Sequence, residues 1–202
     1  GLEVETFSTP AAFLAYPRPD RPAGLVLDLR MPGTSGLALQ QELAGQGADL
    51  PIVFLTGHGD VPASVRAMKA GAVDFLEKPV RDQELLDAIH QAIERAREMQ
   101  AARTKREEIE RLVATLTPRE RQVLALVTTG LPNKLVGDRL GASEKTIKIH
   151  RARVMEKMRA DSLADLVRMA EVVGIRPQAG APEKPESSGV GVGPKRRSSP
   201  RP

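Results

Sequence analysis

The chain has 202 residues, with 30 Lys+Arg against 26 Asp+Glu, no Cys, no Trp and a single Tyr. That length allows one or two domains, and the lack of cysteine excludes a disulfide-stapled secreted fold. Apolar runs such as Leu25–Leu27 and Ile52–Leu55 fall far short of the ~20 residues of a membrane span, and the first residues carry neither the basic nor the apolar region of a secretory signal, so a cytoplasmic location is expected.

In the first half, short apolar runs alternate with stretches of helical spacing. Leu2–Thr6, Leu25–Asp28, Ile52–Thr56 and Val73–Leu76 read as strands; Leu37–Ala44, Val61–Ala70 and Asp82 to about Met99 carry apolar residues three and four apart and read as helices. The alternation predicts an α/β domain over residues 1–98 with a parallel sheet covered on both faces. In such sheets functional groups collect at the carboxyl ends of the strands, which is where Asp28, Thr56 and Lys78 fall.

From Asp82 onward, Leu85, Leu86, Ile89 and Ile93 define one apolar helix face, and residues 94–111 then become almost wholly charged. Residues 99–111 are expected to be a helical linker, too irregular for a coiled coil. Beyond it, Leu116-Thr117-Pro118-Arg119-Glu120 is a capping-box start, with Thr at the cap, Pro at the first helical position and Glu at the third. A helix to about Thr129 follows, then Asn133–Leu140, then a tight Gly141-Ala-Ser143 turn into a helix ending near Met158. Ser162 caps a fourth helix that ends near Gly174. The Pro-, Gly- and Ser-rich tail 175–202, with Lys195-Arg196-Arg197, is expected to be disordered and basic. Charge follows the same division: residues 1–100 sum to −5 and residues 101–202 to +9, which marks the second half as the candidate polyanion binder.

An exposed strand-end carboxylate at Asp28, with a hydroxyl at Thr56 and a cation at Lys78, is the set of groups that accepts a phosphoryl and balances its charge. Arg30, not a carboxylate, stands two residues after Asp28, so nothing there serves as a general acid for hydrolysis. His58, His90 and His150 have no ligand-spaced partners, and no phosphate-binding loop or nucleophile elbow is present; the chain is not expected to be an enzyme.

The segments Leu-Val-Leu-Asp28-Leu-Arg-Met-Pro-Gly, Phe-Leu-Thr56-Gly-His-Gly-Asp, Ala-Met-Lys-Ala-Gly-Ala-Val-Asp-Phe75 and Glu-Lys78-Pro79 resemble the receiver domain of two-component response regulators. The resemblance implies a flavodoxin-like sheet in which Asp28 takes a phosphoryl group from a sensor histidine kinase. Thr56 and Lys78 would contact that group, Phe75 would be an aromatic switch coupled to Thr56, and the Arg30 backbone carbonyl would join Asp28 in holding Mg²⁺. Receivers begin with a strand that brings an acidic pair to the metal, followed by a helix, and this chain starts after both. Glu3 and Glu5 do not replace that pair, so Mg²⁺ binding is expected to be weak. An N-terminally truncated receiver is the favoured reading; a degenerate receiver that no longer responds to phosphate is the alternative.

Leu-Thr-Pro-Arg-Glu-Arg-Gln-Val-Leu, Gly-Leu-Pro-Asn-Lys and Ser-Glu-Lys-Thr-Ile-Lys-Ile-His-Arg closely resemble the LuxR-type helix-turn-helix domain of the FixJ/NarL regulators, over residues 112–174. By that resemblance the domain is all-α with four helices, and its third helix enters the major groove of double-stranded DNA. Lys148 and Ile149 lie where the family contacts bases; Asn133, Lys134, Lys145, Thr146 and His150 lie where it contacts phosphates. A further family base-contact position is Ala152 here. Arg151 and Arg153 are open to either role, with phosphate favoured. The resulting expectation is a transcriptional response regulator that dimerises when phosphorylated at Asp28. The alternative is a phosphorylation-independent DNA binder whose first half serves only as a protein-interaction module.

Overall fold

The computed structural model describes residues 1–17, 20–31, 33–48, 50–57 and 61–176. His58 and, from residue 177 onward, the basic tail lie outside the described residues. The chain divides into two compact units, residues 1–108 and a second that begins at Ile109.

The first unit is built on three parallel strands in the order β1 (Leu25–Asp28), β2 (Ile52–Thr56) and β3 (Asp74–Glu77). Helix α1 (Pro10–Ala15) precedes them, α2 (Gly36–Gly45) and α3 (Val61–Lys69) connect them, and α4 (Asp82–Ala114) follows. The β1-α2-β2-α3-β3 order is the one that apolar runs alternating with helical spacing imply, because parallel strands require a crossover between them. Central strand β2 is the most deeply buried, with Ile52, Val53 and Phe54 all enclosed. On one face of the sheet Phe54 packs with Leu27, Leu39, Leu43, Ala63 and Ala67. On the other, Val53 meets Ala88 and Ala92 of α4.

Four details depart from the sequence expectations. Leu2–Thr6 forms no strand: Leu2 and Val4 are exposed, and among the described residues no strand pairs with this segment to hold it extended. The strand expected over Val73–Leu76 begins and ends one residue later. Helix α1 was not expected, although Thr9, whose hydroxyl accepts from Ala12 N–H, and Pro10 repeat the capping signal recognised at Thr117-Pro118. Finally, α4 buries Ala88 and Ala92 against the sheet and encloses Ala96 as well, while Leu86 is exposed and Leu85, Ile89 and Ile93 are half-buried. The small side chains let the helix approach closely: a Cβ on Gly24 would already stand 3.0 Å from that of Ala92.

The stretch expected as a helical linker, 99–111, is part of α4. Its exposed face carries the pairs Glu94–Arg97, Arg95–Glu98 and Arg103–Glu107, spaced three or four residues apart. Each such pair adds only about 0.2–0.5 kcal/mol, so they support a helix rather than drive a fold.

The second unit comprises α5 (Pro118–Val127), α6 (Asn133–Leu140), α7 (Glu144–Met158) and α8 (Leu163–Val172), the four helices read from the sequence. Val123, Leu124, Val127, Val136, Ile147, Val154, Met158 and Leu166 close its core. The expected capping box is present in full: Thr117 Oγ1 accepts from Glu120 N–H and Glu120 Oε2 accepts from Thr117 N–H. Glu120 is only 2% exposed and does more than cap, because its carboxylate also takes a 2.7 Å bond from Lys157 Nζ, tying α7 to the start of α5. Lys157 Nζ additionally reaches the Thr115 carbonyl at 3.3 Å.

The Lys157 hydrogen bond, then the Thr117 N–H, hold the Glu120 carboxyl at about 2, below its ordinary 4.5. A depressed carboxyl stabilises the folded state fully above its unfolded value and loses that contribution as pH falls towards the folded one. The thermal midpoint of the chain is therefore expected to drop between pH 5 and pH 2.5 by more than that of Glu120→Gln, as followed by circular dichroism. At pH 7, Glu120→Ala should cost about 2 kcal/mol, below the usual figure for a buried pair because Lys157 is partly solvated.

Candidate functional site: the carboxylate rim and the recognition helix

Parallel register brings three strand ends to one edge. Asp28 closes β1, Thr56 closes β2, and Lys78 directly follows β3. The ladder continues one residue past the strands: Leu29 N–H donates to the Leu55 carbonyl at 2.8 Å and Lys78 N–H to the Thr56 carbonyl at 2.7 Å. Lys78, fifty residues from Asp28 in sequence, thereby places its ammonium 2.5 Å from Asp28 Oδ2. The other carboxylate oxygen, Oδ1, accepts from Arg30 N–H at 3.0 Å.

Both donors favour the ionised acid. The Lys78 hydrogen bond, against a smaller opposing effect of burial, holds the Asp28 carboxyl below its ordinary 3.8. Asp28 is thus an ionised carboxylate, still partly open to solvent, with a cation fixed beside it. Thr56 is buried at the adjacent strand end. Phe75 lies within β3, half-buried against the core, its ring 6.2 Å from that of Phe54.

Gly36, at the first position of α2, was missed as a constraint by the sequence reading. A Cβ there would lie 2.6 Å from the Asp28 carbonyl and 2.9 Å from the Phe54 ring, so only glycine lets α2 start directly behind the carboxylate. A glycine rather than alanine at a helix start was the available signal.

Among the described residues no three His, Cys, Asp or Glu side chains gather where an ion could bind. Glu3, one of the two acids near the N-terminus, pairs with Arg21. At the rim itself, Asp28 Oδ2 is bonded to Lys78 and Oδ1 to the Arg30 N–H.

In the second unit, α6, a tight turn and α7 form the helix-turn-helix. Gly141 ends α6 in the left-handed region at φ 63°, and Ala142 N–H donates to the Gly137 carbonyl at 2.9 Å. Gly137 is required by proximity, because a Cβ would stand 2.6 Å from the Ala142 carbonyl oxygen. Ser143 then caps α7 by accepting from Thr146 N–H at 3.1 Å.

Helix α7 has two faces. Ile147, Val154 and Met158 are buried, whereas Lys145, Thr146, Lys148, Ile149, Ala152 and Arg153 are exposed, as is Lys134 on α6. Ile149 stands out as an aliphatic side chain 48% exposed, directly after Lys148 and one turn beyond Lys145. Asn133, His150 and Arg151 are half-buried. His150 Nδ1 is enclosed without a hydrogen-bond partner, and Arg151 Nη1 donates to Asn133 Oδ1 at 3.3 Å. The outward set is a cationic ridge one helix wide, of the kind that fits a major groove.

Comparison with known proteins agrees with this division. Residues 1–90 match the family model described as response regulator receiver domain, and residues 114–170 match that of bacterial regulatory proteins, luxR family. The chain is 54% identical over 175 residues to Nodulation protein W of Bradyrhizobium diazoefficiens, covering 87% of this chain and 77% of that protein. It is 45% identical over 177 residues to the transcriptional regulatory protein FixJ of Azorhizobium caulinodans, covering 88% of this chain and 84% of that protein. The solved structure of the response regulator StyR superposes with a TM-score of 0.69 at 48% identity, covering 84% of this chain and 85% of that one. Receiver domains generally bind Mg²⁺ for phosphorylation, and no described helix here is long and apolar enough to cross a membrane. The chain belongs to the two-component response regulators that join a receiver to a LuxR-type DNA-binding domain, and it is accordingly a phosphorylation-controlled transcription regulator, not an enzyme, with double-stranded DNA and a sensor histidine kinase as partners.

Proposed function

We propose that Asp28 is the residue phosphorylated, and the observation that carries this reading is the Lys78 ammonium held 2.5 Å from its carboxylate at the carboxyl rim of the sheet. An Asp28 carboxylate oxygen forms the new O–P bond while the P–N bond to the kinase's phosphohistidine breaks, and the departing imidazole keeps the electron pair and takes a proton. Lys78 then balances the added charge, and Thr56 donates its hydroxyl to a phosphoryl oxygen. Asp28 and the Arg30 carbonyl are the groups that would hold Mg²⁺ here, and this donor set on its own would hold it weakly, the ion supplying further charge balance for the phosphoryl oxygens.

Phe75 and α3 transmit the change. Val61, Val65 and Met68 are exposed on α3 at spacings of four and three, an apolar stripe beside β3 that suits a second copy of the chain once Thr56 and Phe75 shift. The dimer then presents two recognition helices to paired half-sites. Lys148 and Ile149 read base edges there; Asn133, Lys134, Lys145, Thr146, His150 and Arg153 serve the phosphate backbone. The setting for this chemistry is the cytoplasm, where kinase and DNA are both reached.

Incubation with acetyl phosphate and Mg²⁺ is expected to add about 80 Da (the mass of one phosphoryl group) to the intact chain and nothing to Asp28→Asn, as read by mass spectrometry. Equal gain in both proteins would place the phosphoryl elsewhere. No gain in the wild type, with DNA affinity unmoved by the donor, would favour a protein-interaction module in place of a phosphate-responsive receiver. Thr56→Ala should still gain the mass yet fail to shift towards dimer in sedimentation. Lys148→Ala should weaken binding to a selected duplex roughly tenfold, in keeping with ~1–3 kcal/mol for one base contact.

A further inference from the structure

Helical geometry sets Arg151 apart from the other cations of α7. It lies four residues after Ile147 and three before Val154, both fully buried, so its stem leaves the helix on the core side, not on the ridge of Lys145, Lys148 and Ile149. Its half-burial agrees, and its guanidinium reaches across to α6, where Nη1 meets the Asn133 side chain at 3.3 Å. A guanidinium only donates hydrogen bonds, so the amide atom that faces it must be Oδ1. Both hydrogens on Asn133 Nδ2 are left for another acceptor, and the amide cannot flip without setting donor against donor.

We infer that Arg151 is a positioning residue, which fixes the Asn133 amide at the start of α6 with its donors turned towards a DNA phosphate, instead of a phosphate or base contact of its own. The inference rests on the proposed DNA-binding role of Asn133. Around that amide the start of α6 is arranged for an anion: its cap residue is Pro132, no side chain caps its first turn, and exposed Lys134 follows directly. The same pairing ties the supporting helix to the recognition helix, so loss of Arg151 frees the amide without removing a charge from the DNA-facing ridge.

The test uses the full chain and a duplex selected by it from a random-sequence library, with affinities followed by fluorescence anisotropy from 50 to 300 mM KCl. Arg151→Ala and Asn133→Ala should each weaken binding about fivefold, and the double variant no more than twofold beyond either one, since both remove one contact. The plot of log affinity against log salt should keep its slope in Arg151→Ala but flatten by about 0.9 in Lys134→Ala, which loses a cation at phosphate. Multiplying losses in the double variant, or an equal flattening for Arg151→Ala, would make Arg151 a direct contact and overturn the inference. Should Arg151→Ala melt several degrees lower, the DNA-free spectrum decides: the Asn133 side-chain amide resonances should move in Arg151→Ala and in a partly conservative Arg151→Lys, but not in Lys134→Ala. Unmoved resonances would overturn the pairing itself. Failure of the wild-type chain to select any duplex would remove the DNA-binding reading and this inference with it, a result separable from additive losses in a protein that binds.

Discussion

The parallel register of three short strands is the constraint on which the first unit depends. Asp28, Thr56 and Lys78 come from positions 28, 22 and up to 50 residues apart, yet the hydrogen bonds from Leu29 to Leu55 and from Lys78 to Thr56 bring them to one edge. No local preference does this. A one-residue slip of a strand would send Asp28 or Thr56 to the opposite face, because side chains alternate along it. The burial of Phe54 and Val53 on opposite faces of β2 fixes that register, so the reactive rim is in effect specified by the core beneath it. Gly36 belongs to the same arrangement: by omitting a side chain it allows α2 to begin against the Asp28 carbonyl.

In the second unit the corresponding problem is to hold a cationic helix firmly while leaving its charges free. Burial of Ile147, Val154 and Met158 anchors α7 along its inner side. Near its far end Lys157 is drawn to Glu120, which is already bonded into the capping box of α5. One carboxylate thus completes a helix start and fixes the recognition helix, and a polar residue is tolerated in the core because each of its oxygen contacts is supplied from a defined direction. The basic residues used internally, Lys157 and Arg151, are partnered; those of the outward ridge are left to solvent. Net charge alone does not make that distinction, and inspection of the helix faces does.

How much of this was legible in the sequence depended on how local the cause was. Capping signals are local, and the four helices of the second unit were read to within a residue or two from Thr117-Pro118, Gly141, Ser143 and Ser162. The rim was legible as three strand ends, because apolar runs end where polar residues begin. What failed was long-range. Leu2–Thr6 has strand-like composition, but a strand exists only with a partner. Leu86, Ile89 and Ile93 form the more hydrophobic stripe of α4, yet the sheet takes the alanine stripe, because close approach past Gly24 favours small side chains. Charge counting likewise treats Arg151 and Arg153 alike. Their different fates follow from a hundred-degree step per residue along α7 combined with the position of Asn133 on another helix.

The two units carry unlike capabilities, and this limits how control can operate. The rim holds an ionised carboxylate beside a fixed cation; the outward face of α7 holds exposed cations. Under the proposed reading, phosphorylation therefore acts on DNA affinity through a shared equilibrium, the association of two chains, and not through direct contact. Two recognition helices joined in one dimer meet the second half-site at a high effective concentration, so a modest change in dimer stability is amplified at paired sites and has little effect at single ones. Linkage makes the coupling reciprocal: whatever factor dimerisation adds to DNA affinity, DNA with two correctly spaced half-sites adds to dimerisation. On that reading the exposed α3 stripe need bury only enough apolar surface to make a weak dimer, since the operator would supply the rest of the association free energy, and a weak interface would keep the unphosphorylated chain from occupying those sites on its own.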